Sequence, residues 1–443
     1  MMSKVKPYLD YSDFGQEWLG TLPTHWKVMR TKLLFNLVTE PAPVGNSEEL
    51  LSVYTALGVK PRKELEARGN KASSTDNYWR VEQGDIIVNK LLAWMGAIGI
   101  SEYKGVTSPA YDILRHKENI NPYFYNYLFR NPIASREFKR HSRGIMDMRL
   151  RLYFTRFGDI KLPYPSLDEQ NKIVEYLQFK LRRIDRFTQK KKQLLGLYIQ
   201  RRKSLTRKII NSDSVKLLRL STITNPIDRQ IDRLDDEFYT PVGLYNRARG
   251  IFHKDETLGK DLGDSSFYYI KEGDVIISGQ FAWEGAVALV SSNDENCVAS
   301  HRYPILNCNL EIVKPEFLFS FFTISEGHFL LDINSRGSAG RNRPLNPRYL
   351  LKEKIPVPST DLQEEIVEMY KSEMQLKSII DKEIAIVKEY KTALIAEAVT
   401  GKIDVRDFEI PKTLAEETYE DIEEELSLAA EEEAEYQNEE IEE

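Results

Sequence analysis

Leu162-Pro163-Tyr164-Pro165-Ser166-Leu167-Asp168-Glu169-Gln170 reads as a stiff, extended entry into a helix, and the chain contains it twice. The second copy is Ile355-Pro356-Val357-Pro358-Ser359-Thr360-Asp361-Leu362-Gln363. Proline fixes φ and pushes the residue before it out of the helical region, so Pro-x-Pro is a short rigid lead-in. Ser166 and Ser359 stand where an N-cap belongs, and Glu169 follows three residues on, as in a capping box. About forty residues of helical pattern come after each copy. One such junction would be ordinary; two, 193 residues apart in the same context, point to a duplication.

The rest of the chain repeats in the same order. Gly84-Asp85-Ile86-Ile87 corresponds to Gly273-Asp274-Val275-Ile276, and Ala93-Trp94-Met95-Gly96-Ala97 to Ala282-Trp283-Glu284-Gly285-Ala286, both 189 residues on. Pro122-Tyr123-Phe124 corresponds to Pro315-Glu316-Phe317, and Ser142-Arg143-Gly144 to Ser335-Arg336-Gly337, both 193 residues on. A repeat of this length means two whole domains rather than a solenoid. Short β-branched runs punctuated by Gly and Asp read as strands, and Tyr123 to Phe129 as an apolar helix. The fold class expected is α+β: two globular domains in tandem, with two long helices.

Those helices carry matching seams. Ile173, Leu177, Ile184, Phe187, Leu194, Tyr198 and Leu205, with polar interruptions at Lys180, Lys191 and Arg201, fall on alternating four- and three-residue steps, as do Ile366, Met369, Leu376, Ile380, Val387, Tyr390 and Leu394, with Glu373 and Glu383 interrupting. Residues 168–211 hold 13 basic and 4 acidic side chains, residues 361–402 hold 6 basic and 9 acidic. Opposite charge on matching seams predicts that the two helices pair with each other. At about 1.5 Å per residue, helices of this length would hold two domains roughly 60 Å apart. Two amphipathic helices, each packed on its own domain, are the alternative.

Composition narrows the function classes. With 443 residues, 41% hydrophobic and 29% charged, the chain is of ordinary soluble character with room for two or three domains. It shows no apolar run of membrane-spanning length, and its start shows no signal-peptide core, so a cytoplasmic location is expected. The net charge of −6 conceals an asymmetry. Residues 404–443 carry 18 acidic and 2 basic side chains, a charge of −16, which leaves −6 + 16 = +10 on residues 1–403. The body suits a polyanion; the tail reads as solvated and disordered. Cys297 and Cys308 have no CxxC partner and read as free thiols.

No site for catalysis is legible. GxxxxGK[ST], GxGxxG after a strand, HExxH and GxSxG are all missing. Asn121-Pro122-Tyr123-Phe124 and Asn346-Pro347-Arg348-Tyr349 lack the second proline of an adenine-methyltransferase motif and read as turn openers. Nucleic-acid binding has better support. Lys90, Trp94, Tyr111, Arg140, Arg143, Arg149 and Arg151 in the first half, and Trp283, His301, Arg302, Arg336, Arg341 and Arg343 in the second, lie among glycines and aromatics. Arginine forks suit phosphates and guanine edges, and glycine lets backbone approach a phosphate closely. Both tryptophans read equally well as core, and an exposed arginine as a solvated group.

Over residues 12–405 the layout resembles the specificity subunit of Type I restriction-modification systems. The resemblance rests on Gly20-Thr21-Leu22-Pro23 with Trp26, on Gly-Asp-[Ile/Val]-Ile in both halves, and on both Pro-x-Pro…Gln entries. The ending, Leu394-Ile395-Ala396-Glu397-Ala398-Val399-Thr400-Gly401-Lys402-Ile403, belongs to the same set. It implies a first target-recognition domain (1–160), a central spacer helix (161–211), a second target-recognition domain (212–354), a C-terminal spacer helix (355–403) and the acidic tail (404–443). It further implies that the two long helices form an antiparallel coiled coil and that the target is a bipartite, asymmetric double-stranded DNA site. Chemistry would belong to partners, two methyltransferase subunits and restriction subunits, with S-adenosylmethionine, ATP and Mg on them and no cofactor or metal on this chain. A coiled-coil scaffold that binds only protein is the rival reading, and a methyltransferase fusion the third.

Overall fold

The computed structural model describes residues 6–65, 75–145, 149–225, 227, 229–337 and 343–410. They fall into two compact units: one takes the chain up to Gln189 and from Glu383 on, the other Lys190 to Lys382.

The first unit is built on an antiparallel sheet of β1 (Phe35–Val38), β2 (Ile86–Asn89), β3 (Ile98–Ile100) and β4 (Tyr111–His116), in the order β1-β4-β2-β3. The β-branched run at 86–88 favours strand, and its pleat sends neighbours to opposite faces. Ile86 and Val88 join the large core with Phe35 and Leu114, while Ile87 and Ile113 join a smaller one with Leu51, Val53 and Val81. Helices α1 (Pro122–Phe129) and α2 (Pro132–His141) start on Asn121 and Asn131, whose side chains cap the backbone N–H two residues on, with proline at the first turn. The Asn-Pro of 121–122 is thus a helix start. A long helix, α3 (Leu167–Ile210), follows the strand Lys161–Tyr164.

The second unit repeats the plan. Strands β5 (Thr224–Asn225), β6 (Val275–Ile277), β7 (Val287–Leu289) and β8 (Ile305–Cys308) pair in the order β5-β8-β6-β7. Val275 and Ile277 face one core and Ile276 the other. Helices α4 (Pro315–Phe322) and α5 (Ser325–Ile333) follow, and α6 (Thr360–Val399) closes the repeat. Asn346, like Asn121, caps a helix, Pro347–Leu350.

The Gly-Asp motif has one structural meaning in both units. Gly84 and Gly273 turn with φ of 91° and 86°, a region glycine enters without strain. Asp85 accepts the N–H of Glu82 and a fork from Arg115, at 2.9 and 2.7 Å. Asp274 accepts the N–H of Lys271, two bonds from Arg229 and one from Asn307. Both carboxylates are buried and fully engaged, so the motif is structural.

The glutamine ending each Pro-x-Pro entry is a latch. Gln170 accepts the N–H of Asn121 at 2.8 Å and donates to the carbonyls of Pro165 and Asn119. Gln363 does the same with Lys314, Pro358 and Ile312. Each is fully buried, at 0% exposure, and ties the start of a long helix to the loop before an apolar one. Replacing Gln170 with alanine strands a backbone N–H and two carbonyls, so denaturant melting should show a loss of about 3 kcal/mol. Gln363→Ala should cost about the same.

Three expectations change. Ser166 does cap the N–H of Glu169, at 3.3 Å, but Glu169 does not complete a capping box. Its carboxylate accepts instead from Tyr8 at 2.6 Å, from the Trp26 indole at 2.9 Å and from His25 at 3.1 Å. Burial, with the carboxylate beside it, pushes the Tyr8 phenol well above its usual range. The acidic tail does not begin at Asp404 either. Val405 is buried, and Phe408 packs edge-on to Tyr176 at 5.0 Å and accepts from Lys172 through its carbonyl. The fold therefore runs through residue 410, and residues 411–443 lie outside the described residues. Last, one polar interruption of the seam, Glu373, carries a buried ion pair. In the second unit Glu373 meets Arg202 at 2.7 Å, both buried, with Arg202 also donating to Ser320 and Thr323.

Within each unit the two long helices share a core. In the first, Ile173, Leu177 and Leu181 of α3 cluster with Leu394, Ala398 and Val399 of α6, and Asp185 pairs with Lys391 at 2.7 Å. In the second, Ile209 and Ile210 of α3 cluster with Ile366 of α6. The contacts of the first unit, Asp185 to Lys391 and Lys172 to Phe408, run in opposite chain directions, as an antiparallel pair requires.

Candidate nucleic-acid interface

In each unit the suspected residues converge where the middle strand ends. After β2, Lys90 leads into a 3₁₀ turn, Ala93–Met95, that presents Trp94 and ends on Gly96 with φ 92°. The turn packs against α2, whose chain then runs out through Arg143. Arg143 and Arg151 exchange backbone bonds at 3.0 and 2.9 Å and so close the base of a loop. The next residue, Leu152, is buried and donates its N–H to the carbonyl of Lys90. Gly144 cannot be replaced freely, because a Cβ there would lie 2.5 Å from the Arg149 carbonyl. Arg143, Arg149 and Arg151 are all exposed on this loop.

The second unit builds the same device from other residues. After β6 comes the turn Ala282–Glu284, presenting Trp283 and ending on Gly285 with φ 75°. Helix α5 runs out to a bridge between Ser335 and Leu345, and Arg336 donates its N–H to Pro344. Leu345 donates to Gly279, which stands 189 residues on from Lys90, and Gly279 in turn donates to the Arg302 carbonyl. Arg302, His301 and Arg336 are exposed. Arg341 lies outside the described residues.

Convergence does not make every member available. Lys90 pairs with Asp112 at 3.3 Å and donates to the Pro109 carbonyl, so its charge is already answered. Burial pushes the Asp112 carboxyl up, with Lys90 opposing. Tyr111 sits opposite Asn89 in the sheet and packs on the smaller core. Arg140 pairs with Glu137. Both tryptophans are half-buried, their indole N–H groups have no acceptor among the described residues, and each ring lies under a cation. Lys139 stands 4.8 Å from the Trp94 ring and Arg343 5.3 Å from that of Trp283. Besides His301, Arg302 and the ion-paired Arg140, what stays exposed is arginine at the loop base, which suits phosphate and base-edge contact.

Among the described residues no group of three or more His, Cys, Asp and Glu side chains could hold a metal. His253 meets Asp294 at 2.9 Å and the Cys297 sulfur at 3.8 Å, but through the same ring nitrogen. A relay needs one nitrogen for each partner, and burial raises the Cys297 thiol further from its reactive form. Cys308 is likewise a buried free thiol, pushed up to about 12. No helix among the described residues is long and apolar enough to cross a membrane.

A solved structure shares this fold. A chain reported under the structural basis of complex assembly and conformational transition of the type I R-M system superposes with a TM-score of 0.56 at 12% identity, over 86% of this chain and 99% of that one. The HsdS subunit from Thermoanaerobacter tengcongensis gives 0.42 at 14% identity, over 86% and 98%. The S subunit of a Type-I restriction-modification system from M. genitalium gives 0.40 at 13%, over 89% and 99%. No curated protein matches the chain. The family model for the Type I restriction modification DNA specificity domain matches twice, at residues 23–195 and 224–388, one copy for each repeat, and the chain belongs to that family.

Proposed function

We propose that this chain is the non-catalytic, DNA-reading subunit of a Type I restriction-modification assembly, and that each unit reads one half of a bipartite double-stranded target. The observation that carries this reading is the repeated device of strand end, tryptophan turn and arginine-flanked loop base, built twice from different side chains. A repeated scaffold suits two half-sites. Different arginine sets, Arg143, Arg149 and Arg151 against Arg302 and Arg336, make those half-sites different, so the target is asymmetric.

Methyl transfer and cleavage then belong to partners: two methyltransferase subunits and restriction subunits, carrying S-adenosylmethionine, ATP and Mg, in the cytoplasm. Titrating the full chain against duplex DNA between 50 and 200 mM salt tests the reading. Affinity should fall steeply and linearly on logarithmic axes, as counterion release demands. Duplex binding that is absent at every salt concentration would leave only a protein scaffold.

A further inference from the structure

Arg343 stood among the side chains expected on DNA, but the structure gives it different work. Its Nη2 donates to the Asp332 carboxylate at 2.8 Å and its guanidinium lies 5.3 Å from the Trp283 ring centroid. The residue is thus held between the end of α5 and the tryptophan turn. Pro344 follows and accepts the N–H of Arg336; Leu345 follows that and donates to Gly279. Arg343 therefore pins the returning arm whose next two residues orient the exposed Arg336 and attach the loop base to the sheet.

The first unit places a cation over the corresponding tryptophan too, but takes it from a different place. There Lys139, on helix α2, covers Trp94, and the loop base is closed by Arg143 with Arg151. One arrangement reached from two unrelated positions marks the stacked cation as part of the loop's support. We propose that Arg343 is a positioning residue that acts through a clamp with Trp283 and Asp332 to set the pose of Arg336, and makes no DNA contact of its own. The proposal rests on the reading of the second unit as a DNA reader.

The two roles of Arg343 predict opposite signs for one substitution. Asp332→Asn removes a negative charge beside the loop and releases Arg343. If Arg343 met phosphate, the release would tighten DNA binding. The clamp predicts instead that D332N weakens binding to the selected duplex by about tenfold, from loss of a charge-assisted hydrogen bond. It also predicts that base preference flattens in the second unit's half-site alone. Arg343→Lys keeps the charge but not the planar fork, so it should lose as much as Arg343→Ala, and neither should change the salt slope. The double variant D332N/R343A should be no weaker than either single one.

The measurement is duplex affinity across salt concentrations and selection from a random duplex pool, with the full chain throughout. Thermal melting should stay within a few degrees, since both side chains are partly exposed. Unchanged or tighter binding by D332N, or a slope reduced by about 0.9 in R343A, overturns the clamp. Failure of the unsubstituted chain to bind duplex would overturn the DNA reading instead.

Discussion

Replacing Arg202 with methionine should destabilise the second unit by about 3–5 kcal/mol, since it leaves the buried Glu373 carboxylate without its partner. Arg202 is 2% exposed and Glu373 3%, so water cannot replace the missing hydrogen bonds. Arg202 is also held by Ser320 and Thr323, and its guanidinium lies 5.2 Å from the Phe319 ring and 5.8 Å from that of Tyr370. Several elements of one unit therefore meet at this side chain. The cost comes from stranding a charge rather than from the net worth of the pair. Changing both residues together, Arg202→Met with Glu373→Leu, should accordingly recover most of the loss. Denaturant unfolding of the two variants against the parent checks this. A single variant within 1 kcal/mol of the parent, or a double variant as weak as the single, would contradict the account.

The larger functional effect is expected from the first unit's loop. Changing Arg143, Arg149 and Arg151 to alanine together should lower affinity for the selected duplex by about a hundredfold at moderate salt, on the order of 1 kcal/mol for each arginine removed. The slope of log affinity against log salt should shrink by roughly three, about 0.9 for each phosphate no longer neutralised. Preference at the half-site read by the second unit should not move. Equal affinity with an unchanged slope would show that these arginines are only solvated surface.

The contrast between those arginines and their neighbours shows what a linear chain can and cannot declare. The duplication was legible because it is written in backbone chemistry: proline, glycine and N-cap residues act on their nearest neighbours, so Pro163, Gly84 and Ser166 declare themselves locally. That the long helices pair was legible from their seams and opposite charge, while their antiparallel direction came only with the family resemblance. Ion pairs are different, because the partner comes from elsewhere in the fold. Lys90 and Arg343 carry charges suited to DNA, yet the fold brings Asp112 and Asp332 to them.

Glu169 has the spacing of a capping box, and only the tertiary approach of Tyr8 and Trp26 diverts it. The Asp85 and Asp274 sites make the same point: one motif is satisfied by Arg115 in the first unit and by Arg229 in the second, which are not equivalent positions. The glutamine latches, by contrast, left a trace in the sequence. Gln170 and Gln363 recur at the same offset as the prolines, in the first turn of each long helix, where an identically placed amide is more than solubility requires.

The central claim is that two units read two different half-sites, and binding-site selection with the full chain tests it most directly. Random duplexes selected by the unsubstituted chain should share two short, unlike elements at a fixed spacing. Repeating the selection with Arg336→Ala should blur one element and leave the other intact, while Arg143→Ala should blur only the other. A single contiguous element, or the same element altered by both substitutions, would contradict the account.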